Sequence, residues 1–407
     1  MSASAGCISC RERGGRKSDR STIRLSFAVT VVAVEPPSLD DLDGPHLHAA
    51  LARLRATSPV AWVPATGGWL VTGYRAALDV MRDGATFTVD DPRFSTSQVV
   101  GPSMLSLDDA EHRRHRSPFA PLFLPGGVEE RYAGLIGATL AELLGEVRPL
   151  GHADLRRALS APLAAGVAAS LLGLDGVGSA TVLGWYRAIV AAVTAITAGE
   201  EPAPEAAAAM ATLAAHVASA ALPRHELEPA EVAANAAVIM FGGVETVDGE
   251  VAAALAHLLA RPELAAAARA DDALLDAVVL ESLRLEPAAS VVDRYATGDV
   301  ELAGAAVGAG DLVRVSLAGA NRDPEVFADP DRFDHARPNL RSQLSFARGP
   351  HACIAGDLAR LETRLALRAV ITTLPGLRLD GPVEFRGLVF RKPVAVPASW
   401  QAGGAVT

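Results

Sequence analysis

From Glu111 to Leu285 the chain is one helical pattern after another, and this run constrains the fold more than any other feature. Apolar residues recur at helical spacing over 129–148, 158–172, 181–197, 205–222, 231–260, 263–269 and 272–285. Glycine and proline clusters at 173–179 and 199–204 punctuate them. Runs of alanine, as at 206–209 and 265–268, strengthen the helical preference, and aromatic residues make up only 5% of the chain. Helical patterns also cover 47–57, 74–82 and 356–374. Strand patterns are short and lie at the two ends of the chain, at 60–63, 69–72, 300–302, 312–316 and within 383–396. The expectation is a mainly α protein with small β-sheets. A length of 407 residues would allow two or three domains, but no repeat or low-complexity linker divides it. One domain over 36–407 is therefore expected.

Residues 1–35 stand apart, as an expected disordered basic extension. Arg11, Arg13, Arg16, Lys17, Arg20 and Arg24 precede an apolar run at 25–34 that is too short to span a bilayer. The order loosely imitates a secretory leader, but Glu35-Pro36-Pro37 does not resemble a cleavage site. Cys7 and Cys10 have the spacing of a zinc or redox pair, with no second pair and no nearby histidine to complete a site. The only other cysteine is Cys353, so a disulfide framework is excluded and a reducing, cytoplasmic setting is expected. A formal net charge of −10 argues against nucleic acid as the main partner.

Cys353 sits in the densest chemical signal of the chain, Phe346-Ala-Arg-Gly349-Pro-His351-Ala-Cys353-Ile-Ala-Gly356. A helical pattern opens just after it, and a helix N-terminus favours a thiolate. Gly349 lets the backbone pass close to something large. Three readings fit: a buried cysteine acting as a small hydrophobe, a nucleophile with His351 as its base, or a thiolate ligand to haem iron.

Other pairs share a helix face with chemistry in mind. Phe241-Gly-Gly243-Val-Glu245-Thr246 lies inside the long pattern 231–260. Two mid-helix glycines cost about 1 kcal/mol each relative to alanine, so they call for a reason. Thr246 is placed to bond the carbonyl of Gly242, and Glu245 beside it offers a carboxylate for proton delivery. Glu281 and Arg284, at i and i+3, can pair. His112 and Arg116, at i and i+4, share one face and could meet carboxylates.

In this order and spacing the motifs resemble those of the cytochrome P450 family over nearly all of residues 36–400. The cysteine loop is similar to its haem-binding loop, with Ala355 where the family usually has glycine. Glu281-Ser-Leu-Arg284 resembles its buried Glu-x-x-Arg pair, and Arg332, in Phe327-Ala-Asp-Pro-Asp-Arg332-Phe333, is the expected third member of that network. Glu245-Thr246 resembles its acid–alcohol pair. The resemblance implies haem b with Cys353 as axial ligand, and Phe346, Gly349 and Gly356 cradling it. His112, Arg116, Arg294 and His351 would hold the propionates. It also implies dioxygen as oxidant, with protons delivered by Glu245 and Thr246.

Electrons would come from outside, since the chain carries no dinucleotide-binding fingerprint, and the resemblance to the family's soluble bacterial members implies a separate ferredoxin and ferredoxin reductase. Arg113, Arg114 and His115 read as a solvated basic face suited to such an acidic donor. A hydrophobic small molecule, of the kind made in secondary metabolism, is expected to meet 94–105, the helix residues Met240, Phe241 and Gly243, and 288–292, Val291 and Val292 among them. The segment 91–107 is short for the family, so an open or unusually shaped pocket is expected. A peroxide-driven enzyme and a non-oxidising auxiliary protein of the same fold are the alternatives.

Overall fold

In the computed structural model, which describes residues 35–402 apart from 175, 198–199, 221 and 223–225, short apolar strands and long helices segregate as the patterning requires. The helices, in chain order, are α1 (Leu39–Asp43), α2 (Leu47–Thr57), α3 (Tyr74–Arg82), α4 (Ser95–Val100), α5 (Asp109–Arg116), α6 (Val128–Val147) and α7 (Ala161–Leu171). They continue as α8 (Ser179–Thr197), α9 (Glu205–Ser219), α10 (Pro229–Leu259), α11 (Pro262–Ala267), α12 (Asp272–Leu285), α13 (Leu317–Ala320) and α14 (Gly356–Thr373). The described residues from Pro36 to Ala402 form one compact unit. The basic extension and the Cys7–Cys10 pair lie outside the described residues.

The main sheet has five strands: β1 (Val60–Val63), β2 (Gly68–Val71), β3 (Phe87–Thr88), and, from much later in the chain, β5 (Val291–Ala296) and β8 (Leu312–Ser316). Their order is β1-β2-β8-β5-β3, with β2 and β8 parallel and the other neighbours antiparallel. Strand β4 (His152–Asp154) joins the last strands β9 (Arg378–Leu379) and β12 (Pro397–Ser399). Two small hairpins complete the set, β6 (Val300–Leu302) with β7 (Ala305–Val307) and β10 (Phe385–Arg386) with β11 (Lys392–Pro393). Strands β3 and β4, and β5 as a strand, were not legible from periodicity. They are two to six residues long and take their pairing from distant partners.

Helix α10 is the axis. Pro229 occupies its first turn, and the Glu228 and Glu231 side chains close a reciprocal capping box at its N-terminus. It is buried along most of its length and packs against α7, α9, α12 and α14. By length and composition α8 and α10 could each cross a membrane, but the apolar surface of α10 is spent on this protein's own core.

A buried ion network locks α12 to the irregular chain that leads into the cysteine loop. Arg284 and Glu281 are fully buried and joined by two hydrogen bonds of 2.7 Å. Arg284 also donates to the carbonyls of Asn321, Pro330 and Arg332. The expected third member, Arg332, contributes only that carbonyl. Its side chain is 67% exposed and pairs with Asp334. Arg337 takes the place instead: its Nε lies 3.1 Å from Glu281, and the rest of the guanidinium binds the carbonyls of Ala328, Asp329 and Arg332. The chain turns at 328–332, so the arginine that returns to Glu281 is the one beyond the turn. Removing one partner of a buried pair leaves the other charge uncompensated. Arg337→Ala should lower the unfolding free energy by about 3–5 kcal/mol. Arg332→Ala should change it by no more than about 0.5 kcal/mol. Denaturant or thermal unfolding of the two variants measures the difference.

Candidate active site between the cysteine loop and the central helix

The loop before α14 is held in an unusual backbone shape. Ala347 and Gly349 have φ of +54° and +80°. A Cβ on Gly349 would lie 2.2 Å from the Met81 carbonyl oxygen, so the close approach to α3 demands glycine there. Gly356 packs face-on against the Phe346 ring, which a Cβ would meet at 3.3 Å. The Cys353 amide donates to the Phe346 carbonyl at 2.8 Å, closing the loop just ahead of α14.

Cys353 opens onto an internal cavity of about 270 Å³. Its opposite wall is the stretch of α10 containing Gly242, Gly243 and Thr246. Ala288, Ala289 and Val292 form another side, and Met104 and Leu105 a third. The Thr246 hydroxyl donates to the Gly242 carbonyl at 2.6 Å, and α10 remains helical through this turn. Burial pushes the Cys353 thiol up, while the Ala355 amide and the Arg116 cation pull it down. A bound cation would reverse the balance, since a coordinating thiol is deprotonated.

The residues fit the haem that the resemblance implies. The wall is apolar, one sulfur faces it, and a polar cluster at one edge has unused donors. His112 lies on α5 with its ring 4.3 Å from that of His351, and its Nε2 is buried without a hydrogen-bond partner. Burial, then the His351 and Arg116 charges, pull its pKa down to about 4. Arg116 donates to the Ala352 carbonyl, and Arg294, nearly buried on β5, to that of Asp293. A cofactor bearing carboxylates would answer these donors. Asp108, which sequence reasoning missed, organises them. It bonds His351 at 2.8 Å, the Thr88 hydroxyl and the Val89 amide. Burial works to raise its carboxyl, but these hydrogen bonds prevail and hold it well below the usual carboxylate range.

Several sequence expectations are corrected. Met240 and Phe241 point away from the cavity into the core shared with α8 and α9, where Phe241 meets Phe390 edge-on at 5.3 Å. Helical rotation puts Val238, Ile239, Gly242 and Gly243 on the cavity face. Val291 is buried in β5 facing away, and alternation leaves Val292 lining the wall. His115 is no solvated residue. It is 1% exposed and bonded to Asn235, while Arg114 is tied to Glu111 and Glu231, leaving Arg113 as the exposed cation. The short segment 91–107 reaches the cavity through Met104 and Leu105. It forms α4, buries Val100 and Met104, and is pinned where Asn235 accepts from the Met104 amide at 2.8 Å.

Glu245 does not line the cavity. Its Oε1 is 2.6 Å from the Lys392 ammonium on β11. Lys392 was invisible as a partner because β11 comes from the far end of the chain. Two other carboxylates do line the cavity, Glu250 and Glu362, and both are fully buried. Burial alone raises them, Glu362 from 4.5 to about 8 and Glu250 well above the ordinary value. A folded-state pKa above the unfolded one means stability is complete below about 4.5 and declines as pH rises toward about 8. Glu362→Gln should therefore gain stability relative to the parent protein between these limits, with a constant difference above, as a pH series of thermal midpoints will show.

Comparison with known proteins places the chain. The family model described as "Cytochrome P450" matches residues 205–374. "Cytochrome P450 monooxygenase PikC" of Streptomyces venezuelae is 34% identical, over 88% of this chain and 91% of that protein. "Nocardicin C N-oxygenase" of Nocardia uniformis subsp. tsuyamanensis is 32% identical, over 90% and 97%. The crystal structure of CalO2 superposes with a TM-score of 0.81 at 27% identity, over 92% of this chain and all of that one. The loop around Cys353, the helix opposite it and this similarity along most of the chain agree: it belongs to the cytochrome P450 family of haem-thiolate monooxygenases.

Proposed function

We propose that residues 36–407 act as a single haem-thiolate domain that inserts one oxygen atom of dioxygen into a hydrophobic small molecule of secondary metabolism, in the cytoplasm. The observation that carries this reading is the apolar cavity with Cys353 on one wall and Thr246 on the other. The relatives' names, a nocardicin C N-oxygenase among them, support a small organic substrate.

Bound haem supplies the activation of dioxygen. The chain supplies the rest. Cys353 ligates iron, Gly349 and Gly356 let the backbone and the Phe346 ring come close, and His112, Arg116, Arg294 and His351 hold the carboxylate edge. Met104, Leu105, Val292 and the Gly243 face of α10 exclude water and position the substrate. Thr246, which lines the cavity from α10, handles protons there.

Electrons are proposed to come from a separate ferredoxin and its reductase. Arg113 and Arg341 are exposed cations on which an acidic donor could dock. Around Arg341 the charge is mixed, with Arg360 paired to Asp357 and Arg364 to Asp276, which favours a transient encounter.

The holoprotein, reduced and exposed to carbon monoxide, should show the red-shifted Soret band of thiolate-ligated haem, and Cys353→Ala should lose it. A band unchanged in Cys353→Ala would overturn the ligand assignment. Product formation from dioxygen with a ferredoxin system, against formation from peroxide alone, separates the monooxygenase from a peroxygenase. Absence of turnover from both would favour the auxiliary role.

A further inference from the structure

One wall of the cavity hangs on a single buried carboxamide. Met104 and Leu105 line the cavity and belong to the turn 103–106, which is closed by its own bonds. The Ser106 amide donates to the Ser103 carbonyl at 3.1 Å, and the Ser103 amide to the Ser106 hydroxyl at 3.2 Å. A turn braced in this way shifts as a unit. Among the described residues, the hydrogen bond that ties it to another element runs from the Met104 amide to Asn235 Oδ1 on α10. Asn235 is wholly buried.

Backbone groups fix the orientation of that carboxamide. Its oxygen faces an amide, which can only donate, and its nitrogen faces the Glu231 carbonyl at 2.8 Å, which can only accept. The same nitrogen lies 2.9 Å from His115 Nδ1 on α5, so Nδ1 must accept. The neutral ring then carries its hydrogen on Nε2, 3.3 Å from a carboxylate oxygen of Glu231. Burial pulls the His115 pKa down against the pull of Glu231 and Glu111, and Arg114, whose guanidinium stands 3.2 Å from Nε2, adds to the effect.

We propose that Asn235 is a positioning residue for substrate selection: it fixes the wall formed by Met104 and Leu105, and His115 holds it in the orientation that can do so. That this cavity takes the substrate rests on the haem monooxygenase reading. The carboxamide answers a donor and an acceptor of the backbone at once, which an apolar side chain of the same size cannot do. A second proton on His115, at Nδ1, would set one donor against another. The carboxamide could answer it only by turning its oxygen away from Met104, and the wall would be released.

Hydrogen exchange of the Met104 amide in the holoenzyme reads the contact directly. In Asn235→Leu, close in bulk but unable to accept, its protection relative to a free amide should fall about ten-fold. Asn235→Asp can accept from Met104, but its second oxygen meets two further acceptors, the Glu231 carbonyl and His115 Nδ1, until the group takes up one proton. Its protection should be lowest near about pH 8 and recover toward about pH 5, whereas that of the parent should not rise over this range. The consequence for binding is read by spectral titration with two nitrogen ligands of haem, imidazole and 4-phenylimidazole. A wall that must be ordered anew costs affinity for the ligand large enough to touch it. Asn235→Leu should therefore bind 4-phenylimidazole about ten-fold more weakly and imidazole near its parent affinity.

Unchanged Met104 protection in Asn235→Leu, an unchanged ratio of the two affinities, or a loss of protection in Asn235→Asp that acid does not restore, would overturn the proposal. The carbon monoxide band of each variant reports an intact haem site, and should Asn235→Leu lose it, the pH profile of Asn235→Asp decides alone. A band present with unchanged protection and ratio refutes the positioning role by itself. Its absence from the parent protein refutes the haem-thiolate reading.

Discussion

The Arg284 guanidinium is the interaction on which the rest of the structure depends. It is wholly buried, bonded twice to Glu281, and gathers the carbonyls of Asn321, Pro330 and Arg332 around α12. Asn321 in turn bonds Ser345, whose hydroxyl donates to the Leu283 carbonyl, and accepts from the Leu344 amide. Chain with no regular secondary structure is thereby fixed to a helix immediately before Phe346. A buried ion pair is weak evidence for stability as such, since desolvation offsets much of the attraction. Its worth here is geometric: the directional donors of arginine leave the incoming loop one path.

That path decides the chemistry. The loop reaches Cys353 through left-handed turns at Ala347 and Gly349, under α3 and against α14. Helix α10 supplies the facing wall, and its small residues at Gly242 and Gly243 leave room between the two. The polar edge is built by a similar economy of partners. Asp108 ties His351 to the start of α5, which places His112 and Arg116 beside it. Donors gathered without enough acceptors are what a cofactor carrying carboxylates requires.

Acids around the cavity fall into two kinds. Glu245 and Asp248 sit on the α10 flank that meets Lys392 and Arg156, and exist as ion pairs. Glu250 and Glu362 face inward, unpaired, where burial favours the neutral form. Glu245 and Glu250, little more than one turn apart on α10, are thus paired with a cation or left without one by what stands opposite.

The amino-acid sequence by itself determined the helical class, most helix limits, the cysteine loop, and the Glu281–Arg284 and Gly242–Thr246 contacts. All of these depend on local spacing: a 3.6-residue period, an i to i+3 or i+4 reach, a glycine where the backbone must turn. Only the tertiary structure decided which arginine completes the network, Arg337 in place of Arg332, because a turn intervenes between them. It alone decided that Met240, Phe241 and Val291 face the core, that His115 is buried, and that Glu245 is taken up by a lysine from the last strands. It alone turned Glu250 from one more charge on a helix into an unpartnered acid inside the cavity. The physical reason is common to these cases. Periodicity states which residues share a face, but what that face meets depends on elements far away in the chain, and burial, charge and protonation follow from the partner.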